Sequence, residues 1–152
     1  MIENVQRRAT KSISGLREKN YKERLEYLKL PTLQYRRYRG DMIEMFKITH
    51  GVYDNECLSN FVKYSNDQHR FSFRRHRFCI VKEKFKKDIR KCYFKLRVAD
   101  QWNNLPAKIV NAENLNTFKA RLDSLWKDVM YDFNKDLIHL TSQRNNTYKI
   151  VT

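Results

Sequence analysis

Apolar side chains recur every three or four positions along most of this chain, which is the spacing of one face of an α-helix. The longest such pattern begins after Pro31 and Thr32 and predicts a helix over residues 33–50, with Gly51 as its C-terminal cap. The sequence therefore predicts a mainly helical chain around this element. The inward face of this helix holds Tyr35, Tyr38, Met42, Met45, Phe46 and Thr49.

Start and stop signals predict the other helices. Asn20 followed by Glu23 is a variant of the capping box, in which a side chain and a backbone amide bond to each other reciprocally. Gly15 ends the helix before it, Pro106 ends a later one, and Asn114 caps the last. The predicted helices cover residues 2–13, 21–28, 89–103 and 115–129, with one more turn over residues 58–61.

Residues 70–82 break the helical pattern. Two short runs rich in aromatic and β-branched residues, 71–73 and 78–81, lie on either side of a basic run. We predict a short β-hairpin or an extended insert here. The fold class is then mainly α: a helical bundle-like domain over residues 1–133 with this insert, followed by a tail over residues 134–152 where the periodicity fades.

The charge of the chain is strongly positive and unevenly spread. There are 32 Lys and Arg residues against 17 Asp and Glu, a net charge of +15. Residues 66–100 alone carry +8. Such an excess points to a polyanionic partner or an acidic membrane surface. The basic residues do not form one clean polar face of an amphipathic helix, so we expect nucleic acid and not a membrane.

Basic and aromatic residues alternate in and around the insert, as in nucleic-acid interfaces. Lys and Arg neutralise phosphates, and aromatic rings stack on unpaired bases. A second basic group follows the insert, and a third lies near the start of the long helix, where the helix terminus also favours anions. In the alternative interpretation Phe71, Phe73 and Phe78 face the core and their charged neighbours are only solvated. The candidate contact residues are Arg36, Arg37, Arg39, Arg70, Arg74, Arg75, Arg77, Lys84, Lys87, Arg90 and Lys91.

No pattern in the chain predicts catalysis, a metal or a cofactor. The carboxylates are scattered, with no Asp-Asp, Asp-x-Asp or Glu-x-x-His pair that could hold two cations. His76 and Cys79 are a close pair of metal-ligand types, whereas structural zinc usually shows two such pairs. We expect Cys79 and Cys92 to be small buried hydrophobic residues, and His69 and His76 to join the basic surface.

The sequence also bears on the compartment. Its first residues lack the apolar run of a secretory signal, and no stretch approaches the roughly 20 apolar residues that span a bilayer. Three cysteines, an odd number, fit free thiols in a reducing compartment. We therefore expect an intracellular protein of the nucleus or the cytoplasm.

Several short motifs follow one another in the order found in a known family. They are VQRRATK (5–11), SGLR (14–17), YKERL (21–25), LKLPTL (28–33), YRRYRGDMI (35–43), KITHG (47–51), RVADQWNNLP (97–106) and LNTFKARLD (115–123). Over residues 2–133 the chain resembles the C-terminal part of non-LTR (LINE-type, Jockey-like) retrotransposon reverse transcriptases. The resemblance implies the thumb and the helical region beyond it. The family's catalytic aromatic-Ala-Asp-Asp motif has no counterpart here, so no catalytic residue is carried over.

Together the charge and the resemblance predict a non-catalytic module that binds nucleic acid largely irrespective of sequence. RNA, DNA or an RNA–DNA hybrid is the expected partner, and no cofactor is expected. In one alternative the chain is a structural part of a larger RNA-directed DNA polymerase and acts in cis with the polymerase domains. In others it is a truncated relic with no selected function, or a protein-interaction module, for which the sequence offers no specific anchor.

Overall fold

The computed structural model describes residues 2–53, 76–83 and 92–132. No β-strand occurs within these ranges, so the prediction of a mainly α fold is confirmed. The helices are α1 (Glu3–Lys11), α2 (Tyr21–Leu28), α3 (Leu33–Thr49), α4 (Phe94–Asn103), α5 (Ala107–Val110) and α6 (Leu115–Leu125), followed by a 3-10 helix at Lys127–Val129.

Three helices begin at a residue whose side chain caps them. The Asn20 side chain accepts the amide of Glu23 at 2.9 Å, and the Glu23 carboxylate accepts the amide of Asn20 at 3.0 Å, which confirms the predicted capping box of α2. Thr32 caps α3 and Asn114 caps α6 through their side-chain oxygens. Each of these contacts satisfies a backbone donor that the first turn of a helix leaves without a partner.

Several helix boundaries differ from the prediction. Helix α1 ends at Lys11 instead of residue 13, and α4 begins at Phe94, although residues 92 and 93 were predicted to be helical. The end of α4 at Asn103 agrees with the prediction, but Pro106 also precedes the short helix α5, which was not predicted. Proline suits a helix start because its fixed φ is helical and the first turn has no use for its missing amide. The last helix ends at Leu125 instead of residue 129, and the chain continues as the 3-10 helix.

Other predicted elements lie outside the described residues. These are the turn over residues 58–61, the first residues of the predicted helix at 89–91, and the tail over 134–152.

The core forms where α3 packs against α4 and α6. The Phe46 ring stacks on Phe118 with 4.4 Å between centroids, and Tyr35 meets Trp126 edge-on at 6.2 Å. Trp102 is fully buried beside these rings. Large aromatic side chains bury the most apolar area, so this cluster supplies most of the packing energy of the domain.

The α1–α2 pair is joined mainly by polar contacts. The buried guanidinium of Arg24 donates to the Thr10 hydroxyl at 3.2 Å, to the backbone oxygen of Lys19 at 2.5 Å and to that of Arg7 at 3.4 Å. Arg24 therefore ties α2 to the last turns of α1 and to the loop between them. The buried apolar side chains in this part are Leu16 and Leu25.

Residues 76–83 follow an irregular path along α4 and form no strand. The other half of the predicted insert, residues 70–75, lies outside the described residues, so the β-hairpin stays a prediction. Three sets of hydrogen bonds hold the described half in place. They join His76 Nε2 to the Trp102 backbone oxygen at 2.8 Å, Trp102 Nε1 to the Phe78 backbone oxygen at 2.8 Å, and the Asn103 amide to both backbone groups of Ile80 at 2.9 Å.

Candidate nucleic-acid interface

The structure describes four of the predicted contact residues: Arg36, Arg37 and Arg39 on α3, and Arg77 beside α4. The other seven lie outside the described residues, and their predicted role stays a prediction. They are Arg70, Arg74, Arg75, Lys84, Lys87, Arg90 and Lys91.

Arg36 and Arg37 project from the first turns of α3 into solvent. Tyr35 and Met42 occupy the buried stripe of this helix, so its geometry places the two arginines on the opposite side. Among the described residues, no carboxylate lies within ion-pair distance of either guanidinium. This turn of α3 therefore presents two adjacent positive charges to solvent.

The N-terminus of α3 already has an anion, and it belongs to the protein. The carboxylate of Glu3, which is buried, accepts the Gln34 amide at 3.3 Å and the Tyr21 hydroxyl at 2.5 Å. Burial, followed by the hydrogen bond to Glu3, raises the pKa of Tyr21. The sequence predicted that this helix terminus would favour an external phosphate, and no sequence signal links Glu3 to a helix 31 residues away. A phosphate contact at α3 would therefore rest on the arginine side chains and not on the helix terminus.

Arg39 is engaged inside the protein. Its Nε donates to Asp123 Oδ1 at 2.5 Å and its Nη2 donates to Oδ2 at 2.8 Å, while the Tyr35 hydroxyl donates to Oδ1 at 3.1 Å. The hydrogen bonds from Arg39 hold the pKa of Asp123 below its usual value, and the same pair raises the pKa of Arg39. The two-pronged pair joins α3 to α6, so we leave Arg39 out of the contact set proposed below.

A second ion pair of the same form involves Arg97, on α4. Its Nε and Nη2 donate to the two carboxylate oxygens of Asp41 at 3.0 and 2.7 Å. Asp41 is buried on α3, and the pKa of Arg97 is raised chiefly by these hydrogen bonds. Both pairs thus join α3 to a neighbouring helix; Asp41 is buried in its pair, whereas Asp123 is partly exposed.

Arg77 is exposed, and its guanidinium carbon lies 4.7 Å from the centroid of the Phe78 ring. The His50 ring also lies against Phe78, with 4.4 Å between the ring centroids, and Phe78 packs against the core. For this ring the inward-facing alternative holds, so it offers no open stacking platform. Arg77 itself can still meet a phosphate.

The histidine and cysteine expectations are only partly confirmed. Cys79 is buried as expected, but Cys92 is exposed. His76 does not join the surface; it is buried because the Trp102 backbone oxygen accepts its Nε2 proton. Desolvation lowers the pKa of His76 and also that of His50. Within the described residues, no group of His, Cys, Asp or Glu side chains could hold a metal ion.

One exposed basic group was missed by the sequence analysis. Arg8, Lys11 and Arg17 surround a cleft of about 630 Å³ at the end of α1. Their spacing resembles the charged face of any surface helix, and only the fold of the following loop brings Arg17 to the other two.

Comparisons of the chain with family models, with curated proteins and with solved structures gave no match. The resemblance to retrotransposon reverse transcriptases therefore rests on the motifs alone. In residues 2–53, 76–83 and 92–132, no helix has both the length and the apolar character needed to cross a bilayer.

Proposed function

We propose that this chain is a non-catalytic module that binds RNA, DNA or an RNA–DNA hybrid through phosphates, largely irrespective of base sequence. It uses no cofactor and acts inside the cell, in the nucleus or the cytoplasm, where these polyanions occur. Arg36, Arg37 and Arg77 are its contacts in the described part of the chain.

The observation that carries this proposal is the unequal pairing of charge around α3. The buried Asp41 is paired with Arg97, and the partly exposed Asp123 is paired with Arg39. The arginines on the outer side of α3 have no such match among the described residues. A positive surface that the protein leaves without a counter-charge attracts polyanions and releases their counterions on binding.

The overall charge supports the same proposal. A net charge of +15 is larger than a domain of this size needs for solubility. The most basic stretch, residues 66–100, includes Arg77, which is exposed. Since phosphate contacts carry no base information, this composition favours binding without sequence preference.

Fluorescence anisotropy across a salt series tests the proposal, with a short RNA hairpin, a DNA duplex and an RNA–DNA hybrid as ligands. Each phosphate contact contributes about 0.9 to the slope of log affinity against log salt for a duplex. We expect Arg36→Gln/Arg37→Gln to weaken binding to all three ligands and to lower the slope by about 2.

The matched control is Lys108→Gln/Lys127→Gln, which removes the same charge from two exposed positions outside α3. It should leave the slope nearly unchanged. Charge reversal at Arg74, Arg75 and Arg77 tests the insert in the same assay. Weak binding of all three ligands at low salt would contradict the proposal, and an equal loss in the control would remove Arg36 and Arg37 from it.

A second candidate is a structural role in cis, next to the other domains of an RNA-directed DNA polymerase. It is favoured by apolar side chains left in solvent on the α1–α2 pair: Ile2 is 76%, Val5 68% and Tyr27 70% exposed. A neighbouring domain would cover such side chains. Primer extension by a separately made palm fragment, with and without this chain, tests this role, and a lack of rescue counts against it.

A further inference from the structure

A surface cleft of about 630 Å³ opens where α1 ends and the loop to α2 begins. Three cationic side chains line it, those of Arg8, Lys11 and Arg17, together with Ser14 and Ile13. None of the described residues that line the cleft is acidic. The cleft is thus an open surface site with positive charge on its walls.

The position of the cations is only partly explained by helix stability. Arg8 and Lys11 are neighbours on one face of the last turn of α1, where positive charge complements the negative end of the helix. Arg17 lies beyond the helix, where this benefit does not reach. All three side chains belong to exposed residues, and no carboxylate in the described part of the chain forms an ion pair with them. The loop therefore brings a third positive charge to the first two without an internal counter-charge.

The loop that forms the cleft is fixed by contacts on its buried side. Leu16 is buried, and its amide donates to the backbone oxygen of Ile13 at 3.2 Å. Arg24 bonds to Thr10 on one side of the loop and to Lys19 on the other. Because these contacts fix the loop at both ends, the cations need little reorganisation to meet a ligand, and preorganisation of this kind favours binding.

We propose that this cleft binds a phosphomonoester, the terminal phosphate of a nucleotide or of an oligonucleotide. A phosphomonoester carries close to two negative charges at neutral pH, whereas a backbone phosphodiester carries one. Arginine forms two parallel hydrogen bonds to phosphate, and Arg8 and Arg17 both line the site. Ile13, which is 43% exposed, gives the sugar or base an apolar surface beside the phosphate.

The oligonucleotide source rests on the proposed function, whereas the mononucleotide source does not. Short single-stranded DNA with a 3′ fluorophore, carrying either a 5′ phosphate or a 5′ hydroxyl, tests the first by anisotropy. We expect the phosphorylated strand to bind about five- to tenfold more tightly, as for one charge-assisted contact. Arg8→Gln/Arg17→Gln should reduce this ratio to about one.

The matched control removes two arginines from α3. Arg36→Gln/Arg37→Gln should weaken binding of both strands and leave their ratio as in the unaltered protein. If Arg8→Gln/Arg17→Gln still prefers the phosphorylated strand over the hydroxyl strand by the same ratio of affinities, the proposal is overturned. Because both substituted positions of that variant are exposed, it should fold, which circular dichroism checks; Arg17→Gln alone, outside the helix, serves as a second variant.

Amide chemical shifts in the presence of adenosine monophosphate and of adenosine test the mononucleotide source. The monophosphate should shift the amides of residues 8–17, and adenosine should not. Shifts without a preference for the phosphorylated strand assign the cleft to small phosphomonoesters. The proposal is overturned if the monophosphate shifts no amides in residues 8–17 and the phosphorylated strand is not preferred. If Arg36→Gln/Arg37→Gln still lowers the salt slope in that case, the proposed function stands without it.

Discussion

The α1–α2 pair and the core formed by α3, α4 and α6 use arginine in different ways. In the core, Arg39 and Arg97 each meet an aspartate through two hydrogen bonds, so charge is cancelled where helices join. In the α1–α2 pair, the buried Arg24 meets a hydroxyl and two backbone oxygens. The second arrangement gives each nitrogen of the Arg24 guanidinium an acceptor, and no carboxylate in the described part of the chain forms an ion pair with it.

The difference shows how one small domain can keep a stable interior and a positive surface. Packed aromatic rings hold the core, and Asp41 and Asp123 around it form ion pairs with Arg97 and Arg39. The α1–α2 pair has little apolar interior, so it depends on polar contacts: the hydrogen bonds of Arg24, and the hydrogen bond from the Tyr21 hydroxyl to the Glu3 carboxylate. We expect the core to unfold as a unit and the α1–α2 pair to open at lower free energy.

The largest expected effect is in the core. Trp102→Ala removes a fully buried indole and its hydrogen bond to the Phe78 backbone, and should lower the free energy of unfolding by about 3–5 kcal/mol. Urea titration followed by circular dichroism measures this loss. Tyr27→Ala, at a side chain 70% exposed on α2, is the control and should change stability by less than about 0.5 kcal/mol. Equal effects would mean that Trp102 is not a core anchor.

The next effect tests whether the two regions separate. Arg24→Met keeps an apolar stem but leaves the acceptors at Thr10, Lys19 and Arg7 without their donor, a loss of about 2–3 kcal/mol. Hydrogen exchange should accelerate in residues 3–28 and stay unchanged in residues 35–49. Equal acceleration in both ranges would show that they form one cooperative unit, against the comparison above.

Acid should weaken the core through His76, which is buried, and through His50, which is partly buried. Burial lowers the pKa of His76 below its ordinary value of 6.5, so below that pH the unfolded chain binds a proton that the folded chain does not. Stability then falls as pH drops from 6.5 towards the folded pKa, by up to about 1.4 kcal/mol per pH unit for one histidine. The charge of His50 also lowers the pKa of His76. The pKa of His50 is itself lowered, first by burial and then by the nearby Arg77.

Urea midpoints between pH 7 and pH 5 measure this dependence. His76→Gln keeps a donor for the Trp102 backbone oxygen and should show a shallower slope than the unaltered protein. Asp123 stays ionised between pH 7 and pH 5, because its pKa is held below its ordinary 3.8, so it does not contribute to the slope. An identical slope in the two proteins would exclude His76 as a source of the pH dependence.

The smallest effects come from one pair of helix caps. Asn20→Ala and Asn114→Ala each remove a side-chain acceptor of the same kind and should each cost about 1 kcal/mol. The loss at Asn20 should appear as faster exchange in α2 with little change in the urea midpoint, whereas the loss at Asn114 should lower that midpoint. Glycine at either position should cost only a few tenths of a kcal/mol, because it tolerates the cap conformation.

What the sequence predicted well is local in its physical cause. Asn20 and Glu23 act across three positions, and the bounds of α2 agree with the prediction. Thr32 and Asn114 likewise predicted the starts of α3 and α6. In each case the signal and its partner lie within one helical turn. Pro106 correctly indicated the end of α4, but the short helix α5 after it was not predicted, because a proline can follow one helix and open the next.

What the sequence did not predict depends on distant partners. Glu3 occupies the start of α3 across 31 positions, and Asp123 engages Arg39 across 84. His76 looks like part of a basic surface until the Trp102 backbone supplies an acceptor. No periodicity encodes such pairings, so the candidate interface could be predicted as a set of cations but not sorted into engaged and exposed ones.

The three anchors that hold residues 76–83 on α4 also limit where the chain can change length. His76, Phe78 and Ile80 each bond to one of two consecutive residues, Trp102 and Asn103. An insertion or deletion between positions 76 and 80 would pull at least one anchor out of reach. Related sequences should therefore vary in length before or after this segment and differ within it by substitution alone. Engineered insertions should likewise be placed outside it.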